Sequence, residues 1–73
     1  MQQLITTREL LYRAVNTAGS RAKLSRYLTV EGSPTTPRTI YNWQHMPRRI
    51  RFKALLLMCG LVGAKIEDVR PTD

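Results

Sequence analysis

The segment from Pro37 to Gln44 carries the side chains of this sequence that are best suited to specific hydrogen bonding. Ile40 and Trp43 lie three positions apart, so in a helix they would share one side. Hydrogen-bonding side chains would occupy the other side and its flanks: Arg38, Thr39 and Asn42, with Thr36 and Gln44 beside them. A helix that buries one stripe and presents Arg, Asn, Thr and Gln on the other is suited to contacting base edges in the DNA major groove.

Several of these residues also have a purely structural interpretation. Trp43 is typical of a core residue, and a base-stacking surface is the alternative. Asn42 is equally ordinary at a solvent-facing helical position. His45 is expected at the surface or at a helix end, with a phosphate contact as the alternative. The cationic run 48–51 is compatible with a solvated cluster as well as with a grip on phosphates.

Four helices are expected to position these side chains. The first runs from about Thr7 to Ala18 with Thr6 or Thr7 as its cap, and the second runs from the capping Ser20 to about Leu28. Thr36 caps the third helix, Pro37 takes its favoured first position, and Pro47 ends it near His45. The intervening loop, residues 31–35, is expected to be the most flexible segment.

The fourth helix is expected from Pro47 to about Cys59, ended by the glycines at positions 60 and 63. Its start carries a cluster of cations: Arg48, Arg49, Arg51 and Lys53. Cations are disfavoured at a helix N-terminus, so their presence indicates a requirement such as a phosphate partner. Ile66 and Val69 are expected to pack back on the core.

Length and charge restrict the class of protein. With 73 residues we expect one domain, spanning 1–73, and one core. Twelve Lys and Arg against five Asp and Glu give a formal net charge of +7, and nine of the twelve cations are Arg. Arginine suits planar contact with phosphate or guanine, so the composition favours a polyanionic partner.

The sequence offers little for catalysis or cofactor binding. It has one Cys, Cys59, and one His, so neither a disulfide nor a multi-cysteine or histidine-cluster metal site is expected. The acids are dispersed, no glycine-rich phosphate loop is present, and we expect no catalytic residues, metal or cofactor. No apolar stretch approaches the roughly 20 residues that span a membrane, so we expect a soluble, cytoplasmic protein without membrane contact.

The apolar residues around the loop have the arrangement that a helix-turn-helix requires. Leu24 and Leu28 flank a small residue, Ser25, where two helices would touch. Ile40 and Trp43 would then fix the angle of the following helix.

This segment resembles the helix-turn-helix of Cro-like phage and prophage repressors, whose turn commonly continues into a Pro-Arg-Thr-Ile-Tyr-Asn-Trp-like helix. The tail at residues 63–71 also resembles the ending of small Cro-type regulators. The resemblance covers about residues 20 to 71. It implies an all-α domain of four or five helices, related to lambda repressor and Cro, that binds double-stranded operator DNA, usually as a homodimer, and represses transcription.

Two positions depart from that family. Thr29 stands where the family usually has glycine, and the turn is lengthened by about five residues, Glu31 to Thr35. The insertion either loops out and leaves the helix pair intact, which we favour because loop closure costs little, or it alters the angle of the third helix. If it loops out, Pro34 and Thr35 are expected near the DNA backbone.

Carried over by position, the resemblance assigns the groove contacts to four residues: Thr36, Arg38, Thr39 and Asn42. Arg38 would pair with guanine O6 and N7, and Asn42 with adenine N6 and N7. Contacts to phosphate are expected from a second set: Ser20, Arg21, Tyr41, Gln44, Arg48, Arg49 and Arg51.

Two other functions are compatible with the sequence. A small helical interaction module would bind and inhibit another regulator, with its basic face on an acidic partner. An excisionase-like architectural protein would bend DNA rather than read its bases.

Overall fold

The computed structural model describes residues 4–71, which form four α-helices, two short 3₁₀ turns and a minimal pair of strands. The elements in chain order are β1 (Ile5–Thr6), α1 (Thr7–Ala18), α2 (Arg21–Val30), α3 (Pro37–His45), a 3₁₀ turn (Pro47–Arg49), α4 (Phe52–Val62), a second 3₁₀ turn (Ile66–Asp68) and β2 (Val69–Arg70). The expectation of an all-α domain is therefore confirmed. None of the described helices has the length and apolar character needed to cross a bilayer.

The ends of the first helices follow from their capping residues. The Thr6 hydroxyl accepts a hydrogen bond from the Glu9 amide at 3.1 Å, and the Ser20 hydroxyl does the same for Lys23 at 3.1 Å. Between these helices Gly19 has a φ of +111°, a left-handed conformation that glycine adopts without steric cost. The chain can therefore turn from α1 into α2 within two residues.

All four helices contribute to one hydrophobic core. Its fully buried large side chains are Leu10, Leu11, Leu24, Leu28, Ile40 and Met58. Ser25 is also buried, and its hydroxyl donates to the Ala22 carbonyl at 2.8 Å. The core therefore has the residues predicted for the α2–α3 pair, with a small polar side chain satisfied by its own helix.

The prediction of a fourth helix from Pro47 to Cys59 is wrong at both ends. Pro47 opens only a 3₁₀ turn, after which Ile50 and Arg51 are extended, with ψ angles of 126° and 147°. This straight stretch buries Ile50 in the core before α4 begins at Phe52. The helix then continues to Val62, and Gly63 ends it at a φ of +78°. Gly60 is helical and ends nothing.

The later start of α4 takes two of the four cations away from the N-terminus of this helix. Arg48 and Arg49 lie in the preceding turn, not in the first turn of α4. Only Lys53 remains in that first turn, with Arg51 as the N-cap residue. The N-terminus of α4 therefore has fewer unfavourable cations than predicted, and this indication of a phosphate partner is weak.

The chain ends of the described region meet in a parallel pair of strands that the sequence did not predict. Ile5 pairs with Val69, and Thr6 pairs with Arg70. Val69 packs against the core together with Ile66, as expected, so the tail of the domain is held on α1.

Three apolar residues of the helices face solvent. Ala22 lies on the outer side of α2, and Phe52 and Leu56 are 65% and 42% exposed on α4. Since Phe52 and Leu56 are one turn apart, they share one solvent-facing side of that helix.

Candidate nucleic-acid interface

Helix α3 has one side fixed in the core and one side open to solvent. Ile40 is fully buried and Trp43 is 4% exposed. The exposed side chains follow one another at helical spacing: Arg38, Tyr41, Asn42 and His45. The helix therefore has a rigid inner stripe and an outer surface made of hydrogen-bonding groups.

Arg38 and Asn42 lie four residues apart, so their side chains leave the same side of α3. Both residues are exposed, and within residues 4–71 neither side chain has a hydrogen-bond or ion-pair partner. Two of the four predicted groove contacts are thus brought together, with their polar groups available to a ligand.

The other two predicted groove contacts, Thr36 and Thr39, bond to each other. Thr36 is the N-cap of α3, and its hydroxyl accepts a hydrogen bond from the Thr39 amide at 3.1 Å. The two hydroxyl oxygens lie 3.0 Å apart in a second hydrogen bond. Contact with a base would therefore have to compete with a local capping interaction.

A polar network joins the start of α2 to the outer side of α3. The Arg21 guanidinium donates to Gln44 Oε1 at 3.3 Å and lies 5.3 Å from the centroid of the Tyr41 ring. Tyr41 in turn meets His45 edge to face, with ring centroids 4.7 Å apart. Three of the predicted phosphate contacts, Arg21, Tyr41 and Gln44, therefore form one cluster across the two helices.

The predicted phosphate contact Ser20 is used locally. Its hydroxyl caps α2 by accepting from the Lys23 amide, and the residue is only partly exposed. Its position at the helix start still places the free amides of α2 near the Arg21 cluster.

The loop between α2 and α3 is densely hydrogen-bonded, so the prediction of a flexible segment finds no support in its contacts. Ser33 and Thr35 are buried. The Ser33 amide donates to the Leu28 carbonyl at 2.8 Å, and the Thr35 hydroxyl donates to the Ser33 carbonyl at 2.7 Å. The Thr35 side chain is therefore turned inward, whereas Pro34, the other loop residue expected near a DNA backbone, is exposed.

Arg51 contacts this loop although it follows α3 in the sequence. Its Nη2 atom donates to the Pro34 carbonyl at 2.6 Å and to the Thr35 hydroxyl at 2.8 Å. Its guanidinium carbon lies 5.6 Å from the centroid of the Trp43 ring, within cation–π range. This side chain, predicted to contact phosphate, is exposed, but its Nη2 atom and the face of its guanidinium are used in contacts within the domain.

Arg48 and Arg49 have the opposite surroundings. Both are exposed in the 3₁₀ turn that packs against α3, and their guanidinium groups have no partner within the described region. Between positions 10 and 66 the only acid in the sequence is Glu31. The exposed side of α3 and the adjoining turn therefore carry an excess of cationic side chains.

Chemistry other than hydrogen bonding and charge has few candidates here. Burial raises the pKa of the Cys59 thiol, which keeps it in the protonated, weakly nucleophilic form. Across residues 4–71 no group of three or more His, Cys, Asp or Glu side chains is placed to hold a metal ion.

The hydrogen bonds that close the loop were not predicted from the sequence. Thr29 was noted there only because it replaces a glycine, and Thr35 only as a neighbour of the DNA backbone. A threonine before the loop and a second one at its end are the signal that could have indicated the pair. No family model matches the chain, and no curated protein or solved structure shows significant similarity to it. A function is therefore argued from the geometry of this site.

Proposed function

We propose that this protein is a sequence-specific DNA-binding regulator that uses α2 and α3 as a helix-turn-helix. One observation carries the proposal: Arg38 and Asn42 leave one side of α3 without partners, while Ile40 and Trp43 anchor the opposite side. Such a helix enters the major groove as a rigid body. Its arginine matches guanine O6 and N7, and its asparagine matches adenine N6 and N7.

The charges around α3 support the same function. Arg48 and Arg49 would hold phosphates beyond the end of α3, and Arg21 with Tyr41 and Gln44 would hold phosphates near the start of α2. Contacts of this kind orient a protein on the duplex without reading sequence. The regulator would act as a Cro-like repressor that occupies an operator and blocks polymerase. It would bind an inverted repeat as a homodimer.

Selection from random duplex DNA at about 150 mM salt tests the proposal, because nonspecific binding is already weakened at that ionic strength. We expect an enriched sequence for the natural chain and none for the double variant Arg38→Ala with Asn42→Ala. An inverted repeat would support the homodimer, and a single half-site would replace it with a monomer. Absence of enrichment for the natural chain would overturn the proposal.

An architectural DNA binder predicts a different result. It would bind duplexes of unrelated sequence with similar affinity and bend them. The paired Arg38 and Asn42 favour base recognition, since bending alone does not need two bidentate side chains on one helical side. Circular-permutation gel shifts on the same duplexes distinguish the two functions.

A further inference from the structure

We infer that Arg51 is a positioning residue that fixes the α2–α3 loop and thereby the orientation of α3, rather than a phosphate contact. The part of this inference that concerns DNA rests on the proposed function. The part that concerns the loop does not, and it can be tested on the free protein.

The Arg51 guanidinium contacts the chain at the entry to α3. It bonds to Pro34 and Thr35, the two residues that directly precede the N-cap Thr36. The start of α3 is therefore tied to the backbone just before α4. A five-donor planar group suits this task because it can bond two acceptors and lie against a ring at the same time.

Arg51 also contacts the inner side of α3. The same guanidinium lies over Trp43, whose ring is buried and fixes the rotation of the helix about its axis. One side chain thus contacts both the entry to α3 and its core-facing anchor. Displacing it would release the entry to α3 and remove one contact of Trp43, so we expect the outer side chains of α3 to lose part of their fixed direction.

A second cation, Lys53, approaches the same loop. Lys53 Nζ lies close to Gly32, where an added Cβ would meet it at 3.0 Å, and Gly32 has a φ of +96°. Arg51 and Lys53 therefore both face the loop, at Pro34–Thr35 and at Gly32. Arg48 and Arg49, in contrast, make no such contacts, so they provide matched cationic controls.

Amide hydrogen exchange on the free protein tests the loop. The amides of Ser33 and Thr35 are hydrogen-bonded in the loop, and the Gly19 amide serves as a distant reference. We expect Arg51→Ala and Arg51→Lys to speed exchange at Ser33 and Thr35 relative to Gly19, and Arg49→Ala to leave it unchanged. Natural exchange rates in both Arg51 variants would overturn the inference whatever the DNA results.

DNA binding then separates positioning from phosphate contact. For Arg51→Lys, which keeps the charge, we expect discrimination between the selected duplex and one with a single substituted base pair to fall by about tenfold, the scale of one mismatch. The dependence of affinity on salt should stay that of the natural chain. Natural discrimination in Arg51→Lys, together with a slope lowered by about 0.9 in Arg51→Ala, would identify a phosphate contact instead.

A second variant protects the test against a simple loss of folding. Thr35→Val removes the hydroxyl that accepts from Arg51 and donates to Ser33, without changing charge, and so the coupling with Arg51 is measured from the double variant. We expect Thr35→Val to reduce discrimination in the same direction, and its combination with Arg51→Lys to cost less than the sum of the two, as for residues in one network. Fully additive losses of discrimination in the double variant would show that Arg51 and Thr35 act independently, and would overturn the inference. Failure to select any duplex would remove the proposed function but leave the exchange result decisive for the loop.

Discussion

Thr29 and Thr35 close the loop between α2 and α3 through a reciprocal pair of hydrogen bonds. The Thr29 hydroxyl accepts from the Thr35 amide at 3.1 Å and donates to the Thr35 carbonyl at 3.2 Å. Thr29 belongs to the last turn of α2, and Thr35 directly precedes the N-cap of α3. One side chain at the start of the loop therefore satisfies both backbone groups of the residue at its end.

We expect Thr29→Val to lower the free energy of unfolding by about 1 kcal/mol, since it removes both hydrogen bonds while keeping the shape of the side chain. Thr29→Ser keeps the hydroxyl and should remain close to the natural chain. Urea denaturation followed by circular dichroism measures both. Equal stability of the valine and serine variants would show that the pair contributes nothing.

Single substitutions on the outer side of α3 should change which bases are preferred. We expect Arg38→Ala and Asn42→Ala each to reduce discrimination by about 1–3 kcal/mol, each at its own base position within a half-site. Competition binding with duplexes substituted at every position gives the profile. His45→Ala removes another exposed side chain of α3, and we expect it to leave the base profile unchanged even if loss of its contact with Tyr41 weakens binding to every duplex. Unchanged profiles in both variants would exclude α3 as the recognition helix.

Arg49→Ala should weaken binding to all duplexes by a similar factor. Its guanidinium is exposed and unpartnered in the turn beside α3, which suits a phosphate but gives no access to base identity. The slope of log affinity against log salt should fall in magnitude by about 0.9 for one lost phosphate contact. Lys65→Ala, in the segment after α4, serves as a control with the same loss of charge. An equal loss of slope in both would point to general charge rather than to a contact.

Local signals were enough to predict most of the helical framework. Thr6, Ser20 and Thr36 are capping residues at the starts of their helices, and the apolar spacing of Leu24, Leu28 and the residues of α3 predicted the buried sides. These features depend on neighbours within a few positions, and so they can be recognised in a single sequence.

The features that the sequence did not predict depend on contacts between distant residues. The start of α4 was misplaced because burial of Ile50 and the bonds of Arg51 to the loop keep residues 50–51 extended. The pairing of Ile5 with Val69 joins the two ends of the described chain, and no local pattern indicates it. The composition of the loop predicted flexibility. Its order depends on hydrogen bonds from Thr29 and Arg51, which lie outside the loop and so do not contribute to its composition.

The buried thiol predicts a loss of stability at alkaline pH. Burial raises the pKa of Cys59 in the folded chain above its ordinary value of 9.0. Above that value the unfolded chain loses the thiol proton while the folded chain keeps it. The stability that is fully present at lower pH is therefore lost as pH rises toward the folded pKa. Between pH of about 8 and about 10, the natural chain should lose stability more steeply than Cys59→Ala. If the stability of both proteins fell equally with pH, burial of the Cys59 thiol would not be the cause of the loss.

Thr36 allows helix capping to be separated from DNA contact. Thr36→Ala removes the hydroxyl that accepts from the Thr39 amide, so we expect a loss of about 1 kcal/mol in unfolding free energy. Thr36→Asp keeps a capping acceptor and places a negative charge at the N-terminus of α3, where the helix dipole stabilises it. Its stability should match or exceed that of the natural chain.

The same aspartate would face phosphates and base acceptors if α3 enters the major groove. We therefore expect Thr36→Asp to bind the selected duplex much more weakly than Thr36→Ala, although it is the more stable of the two. Thermal denaturation and fluorescence anisotropy on one preparation give both quantities. A general loss of charge complementarity is controlled by Thr17→Asp, which adds the same charge at an exposed position near the end of α1. If affinity follows stability in the two Thr36 variants, Thr36 acts only as a cap and lies outside the interface.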